Sequence, residues 1–320
     1  MGYVLLGHGG SGDHGCEDYV RGLCGMLPEP PTVFSYCPQE DWHYGICRLA
    51  PVYRQQPGTV HDFPEKGDWI IQTRPSPVRQ LRRRGIRPVL FYSAATCPTA
   101  GQLRLLSGYE TLAVTERESF RILSDAGLKN LRLCPDPAFL VRCRKKGAFS
   151  RDTVGLCLSY PQEADPLLLR NYQRLIEYIL SETPLQILLI PYCVKRRSND
   201  LLLQQVLLRQ YGNTGRIRLR EDGNTRQLRS DLARCRLCVG CGGAVAAWSC
   251  GVPALCLYAT GRTLGICRTL FGSCQPGVLP WQLFKTETDL TEAFRALLHR
   301  EDRCRTCLEQ NLHRLQSPTG

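Results

Sequence analysis

Residues 238–265 read CVGCGGAVAAWSCGVPALCLYATGRTLG. An apolar run at 237–239 enters a turn at 240–243, where Gly240, Gly242 and Gly243 let the backbone bend with little side chain in the way. Residues 244–250 are Ala-rich and helix-compatible. Gly251 stands where a left-handed C-cap belongs, and Pro253 follows where a helix cannot continue. Residues 254–258 then form a buried strand, and a basic loop carrying Arg262 opens another helix. The stretch is a β-α-β unit. Its glycine turn leaves the first N–H groups of the helix available to an anion.

The same alternation extends in both directions. Tyr3-Val4-Leu5-Leu6 is a buried strand feeding the glycine-rich loop GHGGSGDHGCED at 7–18, and a helix over about 17–26 stops at Pro28, Pro30 and Pro31. The loop is a generic phosphate-binding layout, but no Gly-Lys-Ser/Thr closes it as a Walker motif would. Residues 37–66, rich in Pro, Gln, Tyr and Trp, read as a surface excursion. Strands follow at 68–71, 87–92 and 112–114, with a basic helix at 78–84 ended by Gly85. Thr115 and Glu118 fit a capping box for a helix ending at Gly127. Arg117 falls in its first turn, where a cation opposes the helix dipole unless an anion sits there. A solvated arginine beside Glu116 and Glu118 is the equal alternative. Leu131-Arg132-Leu133 leads to the rigid turn Cys134-Pro135-Asp136-Pro137.

RCRKKGAFSR at 142–151 is a basic linker and marks the boundary between domains at 1–145 and 152–320. In the second domain strands at 154–158, 185–190 and 216–219 alternate with helices at 166–180, 200–211 and 225–233, and two closing helices occupy 288–298 and 304–315. The fold class is α/β: two Rossmann-like domains, with ligands at the C-terminal edges of the strands.

Composition narrows the partners. The chain has 320 residues, 43% hydrophobic and 22% charged, enough for two cores. Its uncharged apolar runs are far shorter than the roughly 20 residues of a spanning helix. With no basic leader ahead of the first strand, a cytoplasmic protein is expected, with peripheral association at the inner membrane face as a variant. A net charge of +12 favours anionic partners, but the arginines are spread without a stripe or a known module, so no nucleic acid is expected. Among 18 cysteines the spacing 235, 238, 241 hints at a metal. Strand alternation would point Cys238 away from Cys235 and Cys241, and no metal is expected.

Several segments in order resemble the polysaccharide pyruvyltransferase family. Gly10-Ser11-Gly12-Asp13-His14-Gly15-Cys16-Glu17 is similar to its N-terminal G-x-G-N-x-G-D-E signature, with Asp13 for Asn and Cys16 for Asp. Thr115-Glu116-Arg117-Glu118-Ser119 with Gly127 and Asp136-Pro137 resembles its R-D/E-x-x-S … G … DP block. Ile190-Pro191 with Asp200 is similar to its P … D segment, and Gly243-Ala244 through Gly251-Val252-Pro253 to Tyr258 matches the block R-L-H-G-A … G-V-P … Y-D-P-K. The resemblance spans about residues 1–275. It implies a GT-B-like fold with a ligand cleft between the domains, phosphoenolpyruvate as donor with no further cofactor, and transfer of pyruvate as a ketal. The implied acceptor is a sugar of a cell-surface glycan or its lipid-linked precursor, in cell wall polysaccharide biosynthesis. Gly240-Cys241-Gly242 replaces the family's Arg-Leu-His, and Tyr258-Ala259-Thr260-Gly261-Arg262 replaces Y-D-P-K. That leaves His8 and His14 to move protons and Arg117 and Arg262 to hold the donor. Gly10, Gly12, Asp13, Glu17, Gly240, Gly242 and Gly243 would complete the binding surface. A GT-B-like glycosyltransferase and a non-catalytic anion- or glycan-binding relative are the alternatives that this substitution opens.

Overall fold

The computed structural model describes residues 2–7, 13–35, 53–55, 68–93, 97–141, 143, 152–159, 166–195, 198–220, 225–240, 242–257, 261–272 and 285–316. Its first sheet holds β1 (Tyr3–Gly7), β2 (Thr32–Ser35), β3 (Tyr53–Gln55), β4 (Trp69–Gln72), β5 (Arg87–Tyr92), β6 (Thr111–Val114) and β7 (Leu131–Leu133). Every pairing is parallel, and the spatial order is β3-β2-β1-β4-β5-β6-β7. Helices α1 (His14–Met26), α2 (Arg79–Arg83), α3 (Ala100–Leu106) and α4 (Arg117–Asp125) connect the strands. Leu5, Ile70, Leu90 and Leu112 are fully buried on neighbouring strands. Covered on both faces, such strands read as unbroken apolar runs.

After the short helix α5 (Pro137–Leu140), the second sheet is built from β8 (Thr153–Cys157) and β9 (Gln186–Leu189), separated by α6 (Pro166–Glu182). A small antiparallel hairpin, β10 (Val194–Lys195) with β11 (Ser198–Asn199), precedes α7 (Asp200–Tyr211). The sheet is completed by β12 (Ile217–Leu219), β13 (Leu237–Gly240) and β14 (Ala254–Cys256), with α8 (Thr225–Leu232) and α9 (Gly242–Ser249) on either side of β13. The parallel order is β12-β9-β8-β13-β14. Three helices close the chain: α10 (Gly261–Phe271), α11 (Asp289–His299) and α12 (Glu301–Gln316).

Over its described residues the β-α-β unit expected at 237–258 forms as β13, α9 and β14, with the helix starting at Gly242 and the second strand ending at Cys256. Helix α9 is buried from Gly243 to Ser249, which suits a helix apolar on all sides. Trp248 Nε1 donates to Ala254 O at 3.1 Å and ties the helix to the next strand. Gly251 adopts φ +77°, the left-handed conformation that ends the helix. Elsewhere the boundaries shift for identifiable reasons. Helix α1 starts at His14, earlier than about 17, because the Asp13 carboxylate caps Gly15 N (2.9 Å) and Cys16 N (3.2 Å). The cap of α4 is Glu116 and not Thr115: both Glu116 carboxylate oxygens accept from Ser119 N, at 2.9 and 3.0 Å. Thr115 instead lies in hydrogen-bond contact with the Ser93 hydroxyl at 3.3 Å.

The order of each sheet fixes where a ligand crevice belongs. Strand order reverses between β1 and β4 in the first sheet, and between β8 and β13 in the second. Open α/β sheets bind ligands outside the strand C-termini at such points. In the first sheet that is the glycine loop after β1. In the second it is the pair of strand ends at Cys157 and Gly240, which are register partners.

Candidate functional site

The two crevices meet along one seam. Asp13, the residue that caps α1, forms an isolated antiparallel bridge with Cys193 of the second domain. His14 N donates to Tyr192 O at 3.1 Å, and His14 Nδ1 lies 2.8 Å from Thr225 Oγ1 at the start of α8. Tyr192 is the centre of the arrangement. It follows β9 at the C-terminal edge and is 4% exposed. Its ring lies against α1, where a Cβ on Gly15 would come within 3.3 Å of Cε1. It also lies against α9, where a Cβ on Gly242 would come within 2.7 Å of the same atom. The His14 and Tyr192 ring centroids are 5.8 Å apart at a tilt of 51°. Tyr192 therefore stands between the N-termini of two helices, one from each domain.

Behind it, Asp200 Oδ2 accepts from Tyr192 N (3.1 Å) and Cys193 N (2.7 Å), while Asp200 N donates to Cys193 O (2.8 Å). These bonds leave the turn little freedom. Burial is the main cause of both large shifts in protonation here. It lowers His14 to about 4, with Arg220 and Arg21 adding to the effect against Asp13, and it raises Asp200 to about 7. His14 is therefore a neutral imidazole at neutral pH. Such a group is in the form a base needs but is a weak one, and it holds a proton only after a nearby anion has raised its affinity.

Two ion pairs brace the seam. Arg229 on α8 is buried and donates to Asp18 Oδ2 on α1 (2.8 Å), Ser249 Oγ (2.7 Å) and Val141 O (2.8 Å). Arg262 in the first turn of α10 grips Asp136 through Nε (2.5 Å) and Nη2 (2.8 Å), and its guanidinium lies 5.0 Å from the Tyr19 ring centroid.

The residues singled out in the sequence divide accordingly. Asp13, His14, Gly242 and Gly243 converge on Tyr192, and Glu17 is buried one turn along α1. Arg262 is at the seam, but a carboxylate already engages two of its nitrogens, so it meets an incoming anion as half of an ion pair. Arg117 is exposed at the start of α4. That helix touches α10 through Arg268 Nη1 and Glu118 Oε2 at 3.8 Å. His8, Gly10, Gly12, Cys241 and Tyr258 lie outside the described residues. Tyr192, Thr225 and Arg229 were not singled out from the sequence. Tyr192 alone carried a signal, an aromatic just past Pro191 at the end of a predicted strand.

Gly240 and Gly242 bear on the lost Arg-Leu-His. A Cβ on Gly240 would lie 2.5 Å from Cys157 Cβ and 2.6 Å from Cys157 O, and one on Gly242 would meet the Tyr192 ring. Neighbouring atoms thus fill the room that side chains would need at both positions. The cysteines also differ from expectation. Cys235 precedes β13 and escapes its alternation, so the Cys235 and Cys238 sulfurs both crowd Gly155, 3.1 and 3.0 Å from where its Cβ would be. Among the described residues no three His, Cys, Asp or Glu side chains group as metal ligands, and no helix is long and apolar enough to cross a membrane.

The family model for polysaccharide pyruvyl transferase matches residues 103–259, just under half of the chain. The chain matches the polysaccharide pyruvyl transferase family. The matched span runs from α3 through β14 and contains Arg117, Tyr192, Asp200 and the glycine turn. Solved structures show the scaffold. The Staphylococcus aureus MnaA–UDP structure is similar with a TM-score of 0.65 at 11% identity, over 97% of this chain and 91% of that one. A putative UDP-N-acetylglucosamine 2-epimerase from Listeria monocytogenes gives 0.66 at 11% identity over the same shares. The pneumococcal O-GlcNAc transferase GtfA, in complex with UDP and GlcNAc, gives 0.54 at 11% identity, over 79% of this chain and 55% of that one. No curated protein matches the sequence. The fold is GT-B-like, as the pyruvyltransferase resemblance implied. The matched family is one of transferases, and its span covers the second-domain half of the seam.

Proposed function

We propose that the chain transfers a pyruvyl group from phosphoenolpyruvate, as a ketal, onto a sugar hydroxyl of a cell-surface glycan or its lipid-linked precursor. The observation that carries this reading is the family match across residues 103–259, the span that includes Arg117 and the turn into α9. Phosphoenolpyruvate brings a carboxylate and a phosphate, and a site for it needs cations or unpaired N–H groups. Arg117 at the start of α4 supplies the exposed cation. Ketal formation places a proton on the methylene carbon and removes one from the attacking hydroxyl. His14, neutral and with Nδ1 set by Thr225, suits the second task. It suits the first only when the donor's negative charge raises its proton affinity. An acceptor carried on a lipid would bring the protein to a membrane surface.

A second reading, an anion- or glycan-binding relative without turnover, is favoured by one observation. The space at Gly240 and Gly242 is filled by Cys157 and Tyr192, so no family-like Arg or His is accommodated there. Calorimetry with phosphoenolpyruvate and a pyruvate-incorporation assay on lipid-linked sugars separate the two. The transfer reading expects turnover, with Arg117→Ala weakening donor affinity at least tenfold through loss of a charge-assisted contact worth about 1.5–3 kcal/mol. Tight binding without turnover on any acceptor would favour the binding protein. Absence of donor binding would sink the transfer reading and the anion-binding one, and leave glycan binding alone.

A further inference from the structure

Two buried acceptors at the seam have no donor. Asp200 Oδ1 and Gln204 Oε1 are each buried with no hydrogen-bond partner. They belong to residues one turn apart on the buried face of α7, where i and i+4 side chains meet. Their surroundings coincide. Gln204 Nε2 donates to Leu158 O (3.0 Å) and Ile190 O (3.1 Å), which fixes the amide so that Oε1 points away from those carbonyls. Asp200 Oδ2 takes the N–H groups of Tyr192 and Cys193, two and three residues past Ile190, and the Ser159 hydroxyl lies against the same carboxyl group. Both side chains thus occupy the notch between the ends of β8 and β9. Buried oxygens with lone pairs and no hydrogen to accept are an expensive arrangement in a dry interior, and here two such residues sit one helical turn apart. One proton resolves it.

We propose that Asp200 is a positioning residue that works as a neutral carboxylic acid: Oδ1–H donates to Gln204 Oε1, while Oδ2 accepts the backbone N–H groups that hold Tyr192 between the helix N-termini of the two domains. The charges around it agree. The one titratable side chain among the leading influences on it is Asp13 from the cap of α1, beside the backbone N–H groups of Tyr192 and Cys193 and the Ser159 hydroxyl; the Asp13 charge disfavours a second carboxylate, and no cation stands among those influences. Burial pushes the group to about 7, the same direction that the orphaned oxygens require. Ionisation would set a carboxylate oxygen against the amide oxygen of Gln204 and loosen the turn that carries Tyr192.

The inference goes beyond the proposed reaction and is tested without substrate, so a failure of pyruvyl transfer leaves it untouched. Infrared difference spectra of the whole protein across about pH 5–9 should show a protonated-carboxyl stretch that disappears with a midpoint near neutrality and is missing in Asp200→Asn. Asparagine reproduces the neutral acid, accepting from the turn and donating to Gln204. Its stability advantage over wild type should therefore widen as pH rises, whereas Asp200→Ala should be the less stable protein throughout. Gln204→Leu removes the acceptor and should lower the midpoint by about one pH unit, the equivalent of one hydrogen bond. No such stretch, together with parallel pH profiles for wild type and Asp200→Asn, would mean that the oxygens are bridged by water or that Asp200 is charged, and would overturn the proposal. A midpoint unmoved in Gln204→Leu would overturn the assigned partner.

Discussion

Gly240 shows how one hydrogen atom decides a strand end. Its missing side chain lets β13 lie against the Cys157 backbone, and the obstacle to a Cβ there is a carbonyl oxygen that cannot rotate aside. Gly240→Ala should cost about 1–3 kcal/mol by overpacking, read from urea denaturation. Gly242→Ala meets an aromatic ring instead, so its cost should fall when combined with Tyr192→Ala. Additive effects in that double-mutant cycle would show that the ring and Gly242 are not in contact. At this scale the sequence was least explicit. Three glycines around Cys241 announced a turn, but the atoms they make room for come from far upstream, Cys157 at 83 residues before Gly240 and Tyr192 at 50 before Gly242.

Between elements, the bond from Arg229 to Asp18 is a buried tie, because it joins α8 to α1 and draws in Ser249 of α9. Removing one member of a buried pair leaves the other charge stranded. Arg229→Met should cost about 3–5 kcal/mol, and the double replacement Asp18→Leu with Arg229→Met should recover much of that, because apolar packing can match a buried pair. Equal losses in the single and double variants would assign the effect to the bonds with Ser249 and Val141. The elements themselves were largely legible. Strand and helix alternate in the sequence as they do in the fold, and the Gly251 C-cap forms as read. Helix α3 was passed over although Thr99 and Gln102 carry a capping box. A cap written in four residues is faint when the helix behind it has seven. The pairing of Asp18 with Arg229 had no local signal at all, since 211 residues separate them.

For the whole molecule, two buried groups set opposing pH dependences. Burial takes His14 from 6.5 to about 4, so the unfolded chain binds a proton in that window that the folded chain refuses. Its contribution is complete above about 6.5 and is lost as pH falls toward 4. Asp200 moves from 3.8 to about 7, so its contribution is complete in acid and is lost as pH rises through 7. Each alone gives a slope of about 1.4 kcal/mol per pH unit. Where the windows overlap, between about 4 and 6.5, the two slopes cancel. Urea midpoints across that range should expose them separately. Asp200→Asn should gain stability with rising pH relative to wild type, and His14→Gln should lose it. If both variants follow the wild-type profile, neither group titrates as its surroundings require.

The tie between α1 and α8 also has a consequence during synthesis. Asp18 leaves the ribosome ahead of the arginine that neutralises it, which follows 211 residues later. At about 5–20 residues per second, that interval is on the order of 10–40 s. Throughout it the first sheet can assemble and α5 can dock on α1, but Asp18 has no cation and α1 lacks its contacts with α8 and α9. The nascent N-terminal half is therefore an open surface waiting for its own C-terminal half, and the interval before Arg229 emerges is when this chain has most need of a chaperone.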